Sequence, residues 1–313
     1  MLRYLIKRLL ATIPVMGVVA LFVFSLLYLS PGDPAAVIAG DIATEADIAR
    51  IRAQLGLDQS FLVRFGGWAW GLLHGDLGVS IFTGLPVATL IGQRVEPTLA
   101  LTLCTLIVAV GLAVPLGVLA AARAGGWLDR IVMAISVLGF SVPVFVIAYG
   151  LILLFAVQLE WLPVQGYRSL KDGFGPFVQH MILPSVALGV VYMALIARIT
   201  RATMLDVLSQ DYVRTATAKG LARSAVLTRH ALKNAAVPIV TIIGIGVAAL
   251  IGGVVVTETV FAIPGLGRLT VDAILRRDYP IIQGVTLLFS VVYVLVNLLV
   301  DLSYSLFDPR IKY

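Results

Sequence analysis

The sequence predicts an all-α integral membrane protein, a bundle of six helices crossing a bilayer. Three observations carry this. Only 13% of the 313 residues are charged, against roughly 25% in soluble domains, and mean hydropathy is +1.01. Six charge-free stretches approach or exceed the ~20 apolar residues that cross hydrocarbon. The Lys and Arg residues outnumber acids in alternate connecting segments.

The spans follow in order. Residues 9–29 form the first, behind Arg3, Lys7 and Arg8; the run is too long for a signal-peptide core and no small-x-small cleavage site follows, so it reads as a retained helix. The loop over about 30–97 reads as structured. Thr44 and Asp47 resemble a capping box, with Ile48, Ile51 and Leu55 on one helical face and Gly56 as the stop. Phe61, Phe65, Trp68 and Leu72 then form an aromatic-rich stripe, suited either to headgroups or to a small subdomain packing on itself. Residues 84–97 predict one more short helix, with Pro86 near its first turn.

Spans two to six are expected over 98–122, 131–159, 181–197, 235–257 and 280–300. The third is long enough to tilt or to overrun the interface. The fourth is short and borrows polar residues between Gln179 and Thr200. Within these runs lie Pro14, Pro115, Pro143, Pro184 and Pro238 and many glycines, which kink helices and let them approach closely.

Between spans four and five, "YVRTATAKGLARSAVLTRHALKNAAVP" (212–238) carries five basic residues and no acid. Gly220 interrupts a helical pattern, Ser224 is placed to cap a second helix, and Leu221, Ala225, Thr228 and Leu232 share a stripe. Two short helices around a glycine make a compact projection over about 198–236. Such a basic element suits anionic lipid or a docked protein equally.

Orientation follows the basic residues. With the N-terminus cytoplasmic, inner segments hold 14 of the 23 basic residues against Asp129, Asp206, Asp211 and Asp308, with Asp301 at the membrane edge. Outer segments hold 9 basic and 12 acidic residues. Both termini are therefore expected inside. The excess of +6 is a topology signal, and no nucleic-acid partner is needed to explain it.

Chemistry of its own is not visible in the chain. No Gly-Lys pair occurs, so a P-loop is missing. His74, His180 and His230 are too scattered for a metal site, and no G-x-S-x-G surrounds a serine. The expected span centres lack the ionisable groups that usually mark proton relays. The single Cys104 reads as a small core hydrophobe. A bundle that moves around a pathway, driven from outside, fits better than an enzyme embedded in the membrane. An ATP-independent channel or an ion-coupled carrier is the competing class.

Nearly the whole length resembles the permease subunits of bacterial ABC importers of the dipeptide, oligopeptide, glutathione and nickel type. The resemblance runs through "LIKRLLATIPV" (5–15), "LSPGDPA" (29–35), "LGLDQSFLVRFGGW" (55–68), "GDLGVSI" (75–81) and "QRVEPTLALTL" (93–103). It continues in "DYVRTATAKGLA" (211–222), "HALKNAAVPIV" (230–240), "ETVFAIPGLGRL" (258–269), "RRDYPIIQG" (276–284) and "VNLLVDLSYSLFDPRIKY" (296–313). Each piece alone is weak, but their order and spacing together are specific.

The resemblance implies a type I importer permease, a single transmembrane domain over 1–313. It implies a second related permease, two cytoplasmic ABC ATPases that bind ATP and Mg, and an extracytoplasmic substrate-binding protein. The setting would be a bacterial or archaeal cytoplasmic membrane, and the cargo a peptide, glutathione or a nickel chelate. No cofactor is implied for the chain itself.

The family's ATPase-docking loop falls on Tyr212, Arg214, Thr215, Ala216, Lys219, Gly220, Leu221, Ala222 and Arg223. Here Arg-Thr-Ala replaces the general Glu-Ala-Ala, and 18 positions separate Gly220 from Pro238. Gly220 is expected to be a hinge or close contact, or else a plain helix stop. Glu258, Phe261, Arg276, Arg277 and Asp278 are candidate contacts for the binding protein or the outer mouth, or staples of their own loop. Ser141, Pro143 and Asn297 are candidate pathway residues.

Overall fold

A computed structural model describes residues 2–29, 33–40, 43–54 and 56–307. Asp308, Arg310 and Lys312, together with Leu55 and parts of the motifs at 29–35 and 296–313, lie outside the described residues. Thirteen α-helices follow in order: α1 (Leu2–Leu29), α2 (Pro34–Ala39), α3 (Glu45–Gln54), α4 (Phe61–Leu73), α5 (Val87–Ala122), α6 (Trp127–Ser141) and α7 (Val144–Leu151), then α8 (Phe174–Leu208), α9 (Asp211–Ala218), α10 (Arg223–Ala225), α11 (Lys233–Val260), α12 (Leu266–Arg276) and α13 (Tyr279–Phe307). Wide π-type turns extend α7 over Ile152–Gln158 and join α10 to α11 over Val226–Leu232. Among the described residues the β pairing amounts to one isolated bridge, Val79 with Pro86.

Among the described residues five helices are long and apolar enough to cross a membrane, and a sixth span results if α6 and α7 count as one. That pair is the main departure from expectation. The long third stretch does not tilt as a single rod but bends by 104°. The cause is Pro143, which has no N–H for a ladder and pushes Val142 to an extended backbone, ψ 126°. The expected separate helix at 84–97 is also absent. Helix α5 starts at Val87, just after Pro86, and runs unbroken through Pro97 and Pro115.

The chain divides into two compact units, one of 1–94 with 269–294 and the other of 95–268 with 295–313. In the first, the Thr44 and Asp47 box forms as expected. The Thr44 N–H donates to Asp47 Oδ2 at 3.2 Å and the Asp47 N–H to Thr44 Oγ1 at 3.3 Å. Gly56, at φ +63°, ends that segment. The aromatic stripe of α4 packs on the first membrane-crossing helix. Phe61, Phe65 and Trp68 close on Phe24 of α1, with ring centroids 5.1–5.5 Å apart.

In the second unit α5, α7, α8 and α11 share a core that includes Leu101, Leu188, Leu250, Phe261 and Ile263. Lipid tails are as apolar as leucine, so close packing must hold such helices together. Small residues supply it. A Cβ on Gly117 of α5 would stand 2.7 Å from the Thr200 side chain of α8, and one on Gly244 of α11 would collide with Val300 of α13.

Candidate coupling element and buried polar ties

Helix α8 ends at Leu208, and a turn at Ser209–Gln210 starts α9. Asp211 stands in the first turn of α9, where a negative charge suits the helix dipole. Gly220 stops the segment at φ +79°, a left-handed conformation that costs an L side chain about 1–2 kcal/mol. The N–H groups of Gly220 and Leu221 donate back to the carbonyls of Thr217 (3.0 Å) and Ala216 (3.4 Å), satisfying groups a helix end leaves open. A Cβ on Gly220 would meet nothing within 4 Å. Within the chain Gly220 is therefore a turn and not a close contact.

Helix α9 has two distinct faces. Val213 and Ala216 are buried against Val226, with Val207 and Leu208 beside them. Tyr212, Arg214, Thr215, Lys219, Leu221 and Ala222 are exposed. Arg214 reaches only its neighbour Asp211, at 3.5 Å, and an exposed pair of this kind contributes little.

Two expectations for the second helix need correction. Ser224 is no cap: Ala222 holds the N-cap position without a side-chain bond, and the Ser224 carbonyl accepts from Thr228 Oγ1 at 2.9 Å. The stripe of Leu221, Ala225, Thr228 and Leu232 does not hold as one face: Leu221 and Thr228 are exposed and Ala225 and Leu232 half-buried, while Val226, Ala231 and Ala235 are buried. The wide turns over 226–232 add about one residue per turn, so a stripe counted at 3.6 residues slips off the contact face.

Arg223 is exposed but still reaches another helix of the bundle. Its guanidinium donates to the carbonyl of Ala122, the last residue of α5, where helix carbonyls lack partners of their own. A cleft of about 310 Å³ lies alongside, lined by Ala121, Ala122, Val213, Thr217, Leu221 and Arg223 among others. The segment between α8 and α11 thus touches α5 as well as the two helices it joins.

Sequence reading missed a second tie. Asp129, in the first turn of α6, is 5% exposed and accepts from Arg201 of α8 through both carboxylate oxygens, with the Nη2 contact at 2.7 Å. The Gly125 N–H adds a bond of 2.9 Å. The available signal was an acid set between Arg123 and Arg130 in a short connecting segment.

The candidate outer contacts divide. Glu258 is fully buried and does not face outward. Thr98 Oγ1 donates to its Oε1 at 2.6 Å, the Arg268 N–H to its Oε2 at 2.9 Å, and the Leu266 N–H to Thr98 Oγ1 at 2.8 Å. A Cβ on Gly265 would overlap the carboxylate, which explains glycine in "PGLG". Phe261 is a core residue. Asp278 is buried too, accepting from Ser80 Oγ at 2.5 Å and from the Ile81 N–H at 3.4 Å. All three are buried within the chain. Arg276 remains exposed, and Arg277 is half-buried at φ +55°.

In the second unit, Glu96 accepts from Tyr167 Oη at 3.0 Å and Ser169 Oγ at 2.5 Å. Burial, then the Glu96 carboxylate, push the Tyr167 phenol above its ordinary range. Of the pathway candidates, Ser141 and Pro143 flank the α6–α7 bend, where the Ser141 hydroxyl donates to Val137 at 2.8 Å. Asn297 lies half-buried in α13.

Two family models match the chain. "Binding-protein-dependent transport system inner membrane component" covers residues 113–313, and the corresponding N-terminal model covers 1–102. A Sinorhizobium fredii protein named "Probable peptide ABC transporter permease protein y4tP" is 58% identical over 99% of both chains. The "Glutathione transport system permease protein GsiC" of Escherichia coli is 45% identical over the full length of both. Among solved structures, an inward-facing MetNI methionine ABC transporter matches 71% of this chain and 97% of its own at TM-score 0.59 and 20% identity, a likeness of fold.

Proposed function

Because the chain belongs to the family of inner-membrane components of binding-protein-dependent transport systems, we propose that it forms half of the translocation pathway of an ATP-driven importer whose cargo is a peptide. ATP and Mg would be bound by two partner ATPases. The second half of the pathway would come from a related permease, and a substrate-binding protein would deliver cargo from outside. The distribution of basic residues favours cytoplasmic termini and a cytoplasmic 198–236 segment.

The observation that carries the reading is the two-faced α9. Its apolar face is fastened to the bundle while its polar face is open, and it connects without a flexible linker to α8 on one side and, through the wide turns, to α11 on the other. A partner that seats on the open face and moves would carry both long helices with it, a rigid-body switch. The Arg223 tie brings α5 into the same movement.

Gly220 tests the proposal, since bulk added there meets no atom of the chain itself. In the complete transporter, Gly220→Asn keeps a small side chain that tolerates the left-handed backbone, and it retains substrate-stimulated ATPase activity. Gly220→Trp assembles but loses that stimulation together with uptake. Normal coupling in an assembled Gly220→Trp complex rejects the docking role.

A specific observation supports a second cargo: the full-length relative at 45% identity is named for glutathione. Calorimetry of the cognate binding protein with dipeptides, longer peptides and glutathione separates the two readings.

A further inference from the structure

Helix α4 is apolar on every side, which marks a helix buried in protein or in lipid. One side is accounted for, because Phe61, Phe65 and Trp68 pack on Phe24 of α1. Its one charge is accounted for too. Arg64 donates to Tyr28 Oη at 2.6 Å and lies 5.4 Å from the ring centres of Phe24 and Tyr28, a cation–π arrangement. The opposite side carries Leu62, Val63, Trp70 and Leu73, which are 77%, 62%, 66% and 80% exposed.

Placement supplies the occupant. On α1 the side chains of Phe61, Arg64, Phe65 and Trp68 meet Phe24 and Tyr28, one turn apart near its Leu29 end. Phe24 lies five residues before Leu29, the last residue of that membrane-crossing helix, or about 8 Å along its axis. At 13 residues, α4 is about 20 Å long, too short to span the ~30 Å of hydrocarbon. The neighbouring end of α1 is likewise apolar and exposed at Leu21, Phe22 and Leu29. Polar residues close both ends of α4, Asp58 to Ser60 before it and His74 to Asp76 after it.

We propose that α4 lies in the lipid interface at the Leu29 end of α1, with Leu62, Val63, Trp70 and Leu73 among the upper acyl chains. Arg64 is turned onto the aromatic pair of α1 so that this face stays uncharged. Tyr and Trp favour this depth, where a ring can be apolar on one side and wet on the other. The large connecting segment is thereby anchored to the membrane at its middle.

Spin-label accessibility in the complete transporter, reconstituted in phosphatidylcholine vesicles, tests the proposal. Single cysteines at Leu62, Leu73 and, as a reference, Gln59 are labelled in a Cys104→Ser background, with ATPase activity confirming assembly. Broadening by oxygen is expected to exceed broadening by a water-soluble nickel chelate several-fold at 62 and 73, and the order to reverse at 59. Nickel dominating at 62 and 73 overturns the proposal by placing the face in water. Weak broadening by both probes there overturns it in favour of a protein partner, such as the second permease.

Discussion

The segments 211–222 and 258–269 use opposite arrangements of charge. In the first, Asp211, Arg214 and Lys219 are exposed while Val213 and Ala216 are buried. In the second, Glu258 is fully buried and the backbone of the following turn folds over it. Both carry charge beside a glycine turn, and both read as contact surfaces in the sequence. The difference lies in where donors converge. A hydroxyl and a backbone N–H reach Glu258 from 98 and 268, and at the start of α12 they replace the water a buried carboxylate loses. The side chain of Arg214 has only an exposed i,i+3 partner, so water remains its solvent and its open face is left for something else to cover.

The strongest way to break this contrast is to treat the buried carboxylate as if it were exposed. Glu258→Ala leaves Thr98 and the Arg268 N–H without their acceptor, at about 1–3 kcal/mol for each unsatisfied group. Purified yield and thermal unfolding in detergent should both fall, whereas Arg214→Ala should leave both unchanged. Equal stability of the two variants would remove the distinction. Next in size is Asp129→Asn, which leaves Arg201 partly buried beside a neutral amide. Breaking a buried pair costs about 3–5 kcal/mol, and less is expected here because the Arg201 side chain is 25% exposed. A double-mutant cycle with Arg201→Gln should show a coupling energy of at least about 1 kcal/mol.

Arg223→Ala sharpens the comparison within the coupling segment. Loss of its bond to Ala122 should cost about 1 kcal/mol of stability yet lower the ratio of uptake to ATP hydrolysed. Arg214→Ala should weaken association with the ATPase instead, read by copurification. The smallest effect concerns α3. Hydrogen bonds from Thr44 hold the Asp47 carboxyl below its ordinary range, so its contribution is present above the unfolded value and is lost as pH falls through the lowered one. Hydrogen exchange over 45–54, corrected for intrinsic rates, should speed up slightly at acid pH, with assembly unaffected.

Much of this protein was legible in one dimension. The apolar runs located the spans because ~20 such residues have few other stable settings. The Thr44 and Asp47 box was legible because its partners are three residues apart. The glycine at 220 was legible as a break in the helix, since the left-handed backbone it adopts there disfavours a Cβ. The stripe on the second coupling helix was misread for an equally local reason: the sequence carries no mark of the wide turns that shift its register.

What only the tertiary structure decided depends on distant partners. Glu258 meets Thr98 across 160 positions, Arg201 meets Asp129 across 72, and Arg223 meets Ala122 across 101. Composition and periodicity record how much apolar surface must leave water and with what local repeat. The surroundings of an individual charge depend on which helices come together, so the sequence by itself determined a membrane bundle with a basic projection. The fold decided which of its charges are buried ties and which stay free to meet a partner.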